Sequence, residues 1–221
     1  MYWTAAAYIL AGYVSGGILY SSLMPKLIKH IDIVEQSDDH NPGTANAVKL
    51  AGWPIGLLCL ALDVLKGAVP VALALRAVGT DTLLFALILL APVMGHIRPL
   101  LRGRGGKAIA VAFGVLAGLL PVNFSVLLLA APFLFFTLIV MIDPHSIRTI
   151  AAFSVFALLT LFFCPTLSVR LGGILIAAAV NINMLRLRKA NGENEAISVY
   201  LIGAKKHEAQ EASEQEHSVQ Q

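Results

Sequence analysis

The sequence predicts an all-α integral membrane protein of about seven transmembrane helices, its N-terminus outside and its C-terminus in the cytoplasm. Three observations carry this expectation. Charged residues make up only 13% of the 221-residue chain, against about 25% in an ordinary soluble domain. Apolar residues make up 57%, and a mean hydropathy of +0.78 is gathered into runs of bilayer-spanning length. Lysine and arginine crowd into alternate connections between those runs.

The first run, 3–24, precedes the first charged residue, Lys26. Met1–Tyr2–Trp3–Thr4 lacks the basic leader of a signal peptide, so the run reads as an uncleaved spanning helix. Residues 25–49 are mixed and polar. A second span covers 50–75, interrupted by Asp63 and Lys66, and a third covers 82–97. Residues 108–142 hold no charge and are too long for one span. Pro121–Val122–Asn123 marks a turn near their middle, giving short spans at 108–120 and 124–142. Spans at 149–169 and 171–188 follow, parted by Cys164–Pro165–Thr166 and Arg170. Re-entrant short segments would lower the count to about five.

With seven spans, Lys26, Lys29, Lys49, Arg98, Arg102, Arg104, Lys107, Arg148, Arg186, Arg188, Lys189, Lys205 and Lys206 all fall on one side, and only Arg76 and Arg170 on the other. The positive-inside rule makes the first side cytoplasmic. Residues 1–203 then form one membrane domain, and 204–221 a polar tail without aromatic residues, expected to be disordered. The net charge of +3 is modest and sits in short loops, which suits a membrane surface and no nucleic acid. Cys59 and Cys164 lie in apolar runs without CxxC or Cys/His spacing, so buried free thiols and no metal site are expected.

Five polar groups are not explained by the lipid. Asp38 to Ala47 contains the turn signal Asn41–Pro42–Gly43, which is either an ordinary loop turn or a set of exposed N–H groups. Asp63 and Lys66 share a helix face and can pair, either as a structural brace or at a functional site. Gly95–His96–Ile97–Arg98–Pro99 leads into Gly103–Arg104–Gly105–Gly106–Lys107, where glycines let backbone approach an anion and Lys107 supplies a point charge. The bland alternative is a basic loop at the membrane edge. This is not a phosphate-binding Walker loop, because the spacing differs and no strand precedes it. Ser146 and Thr149 either reach one ligand or cap a helix. Asn181 and Asn183 cannot face the same way on a helix, and Arg186 either joins them or snorkels. Under the predicted topology all five meet the cytoplasmic membrane edge, where a phosphate-bearing substrate would meet a lipid-soluble one.

The ordered set resembles the bacterial membrane acyl-phosphate:glycerol-3-phosphate acyltransferases (PlsY). The family's first motif, roughly G-S-G-N-P-G-A-T-N, is matched by Asn41, Pro42, Gly43 and Asn46. Its Asp-x-x-Lys-Gly element is matched by Asp63, Lys66 and Gly67. Its G-H-x-x-P followed by G-G-K is matched by Gly95, His96, Pro99, Gly105, Gly106 and Lys107. The similarity runs from the first helix to about Glu195. Asp39 stands at the family's serine, His40 at the following glycine, and Thr44–Ala45 reverses Ala-Thr. In the third motif Asn183, Arg186 and Leu187 align, while Val180 and Asn181 replace histidine and arginine, and Gly192 and Glu195 come late.

The resemblance implies transfer of a fatty acyl group from acyl phosphate to glycerol 3-phosphate, giving lysophosphatidic acid for phospholipid synthesis. The expected setting is the plasma membrane, among membrane lipids, with the site facing the cytoplasm and no cofactor. Lys107, His96 and Asp39 are the candidate catalytic residues. Asn41, Gly43, Asn46, Gly105, Gly106, Ser146, Asn183 and Arg186 are the candidate substrate-binding residues, braced by Asp63 and Lys66. Two alternatives remain: a non-catalytic lipid- or partner-binding protein keeping the fold, and an acyltransferase with another acceptor.

Overall fold

The computed structural model describes residues 2–100, 104–120, 122–192 and 196–201. Arg102, Gly103, Glu195, Lys205, Lys206 and the polar tail lie outside the described residues. Each of the seven predicted apolar stretches carries a helix. Helix α1 (Tyr2–Gly16) and α2 (Tyr20–Lys29) share the first stretch and are bent by 44° at the break between them. Two short helices follow, α3 (Ile33–Gln36) and α4 (Thr44–Ala51). Asp32 caps α3 by accepting from Val34 N–H at 3.1 Å.

Helix α5 (Trp53–Val78) is the longest, at 26 residues or about 39 Å. Pro54 stands in its first turn, where a missing N–H costs nothing. Gly79 ends it at φ +69°, donating back to Leu75 O, a conformation in which a side chain would be strained. Then come α6 (Leu84–Ile97), α7 (Ile109–Ala117) and α8 (Ser125–Leu134), the last continued by a π-helical turn, Phe135–Ile139. Strand β1 (Val140–Asp143), α9 (His145–Phe163), α10 (Leu167–Ala190) and β2 (Ser198–Leu201) complete the described chain. By length and hydropathy α5, α9 and α10 suffice to cross a membrane, and α1 with α2 makes a fourth if the bent pair is one span. Helix α6 and the Ser125–Ile139 unit are apolar but shorter.

Several boundaries differ from those expected: α9 ends at Phe163 rather than 169 and α10 begins at Leu167 rather than 171, and two further differences lie beside the site. Helix α9 begins at His145 rather than 149, so Ser146 and Arg148 belong to its first turn instead of a loop. Burial explains this: Ser146 and Thr149 face inward, and Thr149 returns its hydroxyl to His145 O at 2.9 Å. The span expected to end at 142 gives up its helix at Ile139, because 140–143 pair antiparallel with 198–201, Val140 opposite Leu201 and Asp143 opposite Ser198. A ribbon satisfies those backbone groups as well as another helical turn would.

Helix α6 runs through the middle of the bundle. Phe85, Leu89 and Val93 pack with Val71 and Ala74 of α5, Val111 and Val115 of α7, Phe153 and Phe156 of α9, and Ile176, Val180 and Met184 of α10. Outward faces are apolar too: Leu57, Leu65 and Leu73 of α5, Leu134 of α8 and Leu138 of the π-helical turn are exposed, as lipid contact requires. Without a hydrophobic drive between helices in lipid, close approach depends on small residues. A side chain at Gly95 would collide with Tyr13 O, and one at Gly114 with Val64 O. Those two contacts draw α6 onto α1 and α7 onto α5, bringing the loop before α7 against the end of α6.

Candidate active site

The segment before α7 has no regular secondary structure over 104–107 and is held from two sides. Gly106 N–H donates to His96 O at 3.1 Å, and Asn183 Nδ2 of α10 donates to Gly106 O at 3.1 Å. Gly105 lies against Ile97 O and Gly106 against the His96 ring, so closely that neither position has room for a Cβ. The Gly106 amide is therefore already committed and is not free to bind an anion. Ala108, at φ +62°, then turns the chain into α7.

The loop before α4 meets this segment. Asn46 Nδ2, one turn into α4, donates to Asp39 Oδ1 at 2.7 Å and to Asn41 O at 2.9 Å. Asn41 N–H adds a 3.3 Å bond to Asp39 Oδ1. Lys107 Nζ closes on Asp39 Oδ2 at 3.0 Å. Burial pushes the Asp39 carboxyl up, but the bonds from Asn46 and Lys107, the Lys107 charge and the Asn41 N–H outweigh it. The net shift is below the ordinary 3.8, so Asp39 is a carboxylate at neutral pH.

Three cavities meet at this pair. The largest, about 460 Å³ and mostly apolar, runs between α5, α7 and α8 and is lined by Leu60, Val64, Ile109, Phe113 and Phe133. Its polar end holds Asp39, Asn41, Gly43, Asn46, Asp63, His96 and Lys107. A second cavity of about 310 Å³ has Asp39, Asn41, Gly105 and Asn183 in its wall, with Arg98, Arg104 and Arg186 as cations and Asp39 as the single carboxylate among the described residues. A third of about 210 Å³ lies beyond Lys107, between Ser146, His145 and Arg188. Asp39 thus borders the first and second, and Lys107 the first and third. An apolar tunnel ending at a lysine between two cation-lined recesses can hold a long-chain molecule by its tail and present its anionic end to a second, polar molecule.

Asp63 stands at the apolar cavity's polar end, with Lys66 behind it. Lys66 Nζ is 2.7 Å from Asp63 Oδ1, and Ser21 Oγ donates to Asp63 Oδ2 at 2.7 Å, both side chains being almost wholly buried. Val180 lies in the apolar core with no exposure, and Asn181 turns to Ser154 of α9 at 3.1 Å, so neither faces the cavities. Cys59 and Cys164 are buried free thiols outside all three linings. His145 and Arg188 were not singled out in the sequence as site residues. The available signal was weak: two polar residues at a helix start and a basic residue two places after Arg186.

The chain matches the glycerol-3-phosphate acyltransferase family over residues 6–192. The chain belongs to this family. It is 38% identical over 117 residues to glycerol-3-phosphate acyltransferase of Myxococcus xanthus, an alignment covering 52% of this chain and 60% of that protein. Against the Thermotoga petrophila glycerol-3-phosphate acyltransferase it is 39% identical over 108 residues, 48% of this chain and 54% of the other. The chain thus spans little more than half the length of these curated relatives. The fold is that of a solved family member, the integral membrane glycerol 3-phosphate acyltransferase PlsY (YgiH). Its glycerol 3-phosphate form superposes with a TM-score of 0.73 at 26% identity, over 88% of this chain and 96% of the other. Its lysophosphatidic acid form gives 0.69 at 25% identity, over 86% and 94%.

Proposed function

We propose that the protein transfers a fatty acyl group from acyl phosphate to the hydroxyl of glycerol 3-phosphate, releasing inorganic phosphate and lysophosphatidic acid. One observation carries the reading: Lys107 stands where the apolar cavity meets the polar recesses. The acyl tail lies along Phe113 and Phe133, and its phosphate ends at Lys107. Glycerol 3-phosphate occupies the second cavity, its phosphate facing Arg98, Arg104 and Arg186, with Asn41 and Asn183 beside it. Ser146 offers a hydroxyl to the donor's phosphate in the third cavity. The acceptor oxygen bonds to the acyl carbon, the bond from that carbon to the phosphate oxygen breaks, and the departing phosphate takes the acceptor's proton. Lys107 neutralises charge on that oxygen as it develops. Asp63 and Lys66 hold the polar end of the acyl cavity in place.

Seven crossings, with the N-terminus outside and the three cavities at the cytoplasmic face of the plasma membrane, fit the one-sided lysine and arginine count. The reading takes residues 1–203 as the membrane domain and 204–221 as a cytoplasmic tail.

Asp39 in the wall of the arginine-lined cavity favours a second reading, an acceptor carrying less negative charge than glycerol 3-phosphate. One experiment separates the two. Purified protein is incubated with a long-chain acyl phosphate and radiolabelled glycerol 3-phosphate or radiolabelled glycerol, and the lipids are extracted. Labelled lysophosphatidic acid, absent with Lys107→Ala, supports the first. Label entering lipid from glycerol alone supports the second, and no labelled lipid from either sinks both.

A further inference from the structure

The Lys66–His96 contact fixes where the His96 proton sits. Lys66 Nζ lies 2.8 Å from His96 Nδ1, 2.6 Å from Ile18 O and 2.7 Å from Asp63 Oδ1. Asp63 accepts a hydroxyl proton from Ser21 on its other oxygen, as a carboxylate does, and a buried carboxylate at 2.7 Å holds the lysine as an ammonium. An ammonium has three donors and no lone pair. Nδ1 must therefore be the acceptor and carry no proton, and a neutral imidazole then carries its proton on Nε2. Protonating Nδ1 would set two donors and two positive charges against each other at 2.8 Å.

That Nε2–H is unused by the protein. His96 is 4% exposed, lines the apolar cavity beside Lys107, and has no acceptor for Nε2 among the described residues. Gly106 lies against this edge of the ring, and any Cβ there would strike Nε2 itself. His96 does not line the arginine-rich cavity. Its free donor is thus presented where a fatty acyl chain ends, not where a glycerol phosphate would sit.

We propose that His96 is a catalytic hydrogen-bond donor whose Nε2–H binds the acyl carbonyl oxygen and stabilises the negative charge formed there on attack. The inference rests on the acyl phosphate reading above. As the acceptor oxygen adds, the carbonyl electron pair moves onto the oxygen held by His96. It returns as the bond to phosphate breaks, and His96 keeps its proton throughout. His96 is not a general base, because its other nitrogen is occupied by Lys66 and its facing nitrogen carries hydrogen.

Two isosteric variants test this. In His96→Gln an amide N–H₂ takes the place of Nε2 and the acceptor toward Lys66 is lost. In His96→Asn the acceptor toward Lys66 is kept and the distal donor is lost. The Gln variant should keep kcat within about tenfold, and the Asn variant should lose about 100- to 1,000-fold in kcat with KM for acyl phosphate little changed. If His96 only supports Lys66, the order reverses, and that result overturns the proposal. A loss confined to KM overturns it too, assigning His96 to the phosphate. Gly106→Ala sets a Cβ against Nε2 and should lower kcat likewise; full kcat there counts against the donor role even if both His96 variants fail to fold. If wild type does not acylate glycerol 3-phosphate but releases phosphate from acyl phosphate to another acceptor, the functional reading fails while the same ordering, read on phosphate release, decides this one. Neither reaction in the wild type overturns both.

Discussion

Lys107 Nζ and Asp39 Oδ2 are 3.0 Å apart across 68 residues of sequence, and both side chains are about a quarter exposed. The lysine at the junction of the cavities is therefore already paired by a residue of the chain itself. A phosphate arriving there competes with a carboxylate for the same ammonium, and Asp39 adds repulsion at short range.

Replacing that carboxylate should help an anionic substrate. Asp39→Ser frees Lys107 and removes the repulsion, and a tenfold fall in KM for the phosphate-bearing substrate corresponds to about 1.4 kcal/mol. Initial rates of wild type and variant on acyl phosphate and glycerol 3-phosphate measure it. A fully active wild type with a dead but folded variant would instead make Asp39 a direct participant in the reaction.

Lys107 and Arg104 should behave differently although they are three residues apart. Lys107 borders the acyl cavity, whereas Arg104 lines only the second. Lys107→Ala should cost at least about 100-fold in kcat, as loss of a group that meets the developing charge does. Arg104→Ala should raise KM for the phosphate acceptor several-fold and leave kcat alone. Equal, mild effects from both would mean the segment is only a positively charged loop.

Acid should dissolve the Asp39 contribution in a defined direction. Its folded carboxyl titrates below 3.8, so as pH falls the unfolded chain takes up the proton first. The stabilisation is complete above pH 3.8 and is lost as pH drops through the lower folded value. The difference in unfolding temperature between wild type and Asp39→Asn should be flat from about pH 8 to about pH 5 and shrink below pH 3.8. A difference that grows on acidification contradicts this.

Asp63 and Lys66 should be worth more to each other than to the protein. Breaking a buried pair from one side strands a charge and costs about 3–5 kcal/mol, whereas replacing both with apolar groups of similar size is often neutral. In detergent, Asp63→Leu and Lys66→Met should each lower the unfolding temperature strongly, and the double variant should recover most of the loss. Additive losses would show that Ile18, Ser21 and His96, rather than the pair, carry the stability.

Single cysteines introduced into a chain with Cys59 and Cys164 replaced should report the sidedness. Positions 36 and 104 flank the site and should react only from the cytoplasmic face, while 80 and 122 should react only from outside. Opposite labelling of 36 and 104 is incompatible with the contact between Asp39 and Lys107.

The helices were legible because lipid leaves an apolar run few alternatives, and five of the polar groups that interrupted those runs do converge. What was not legible came from pairing at a distance. The partner of Asp39 was not legible, because nothing in 38–47 announces a lysine 68 residues on. The first turn of α9 read as loop, since His145, Ser146 and Arg148 are polar and their helix forms only with cavity and bundle to face. Four residues at 198–201 carry too little pattern to predict a strand whose partner lies at 140–143. The tautomer of His96 depends on an ammonium 30 residues away and on a carbonyl in the break between α1 and α2.

The β1–β2 ribbon has a practical consequence for handling the protein. It ties the way into α9 to the way out of α10, so both ends of that helical hairpin are buckled together beside Ser146 and Arg188. Arg148 tightens the buckle by donating to Ile142 O at 3.0 Å and to Asp143 at 3.1 Å. A purification tag or reporter fused straight after Gly192 would displace Ser198–Leu201 and unfasten it, whereas the same fusion attached beyond Leu201 leaves the clasp in place. Where an engineer cuts this chain therefore decides whether the third cavity keeps its shape.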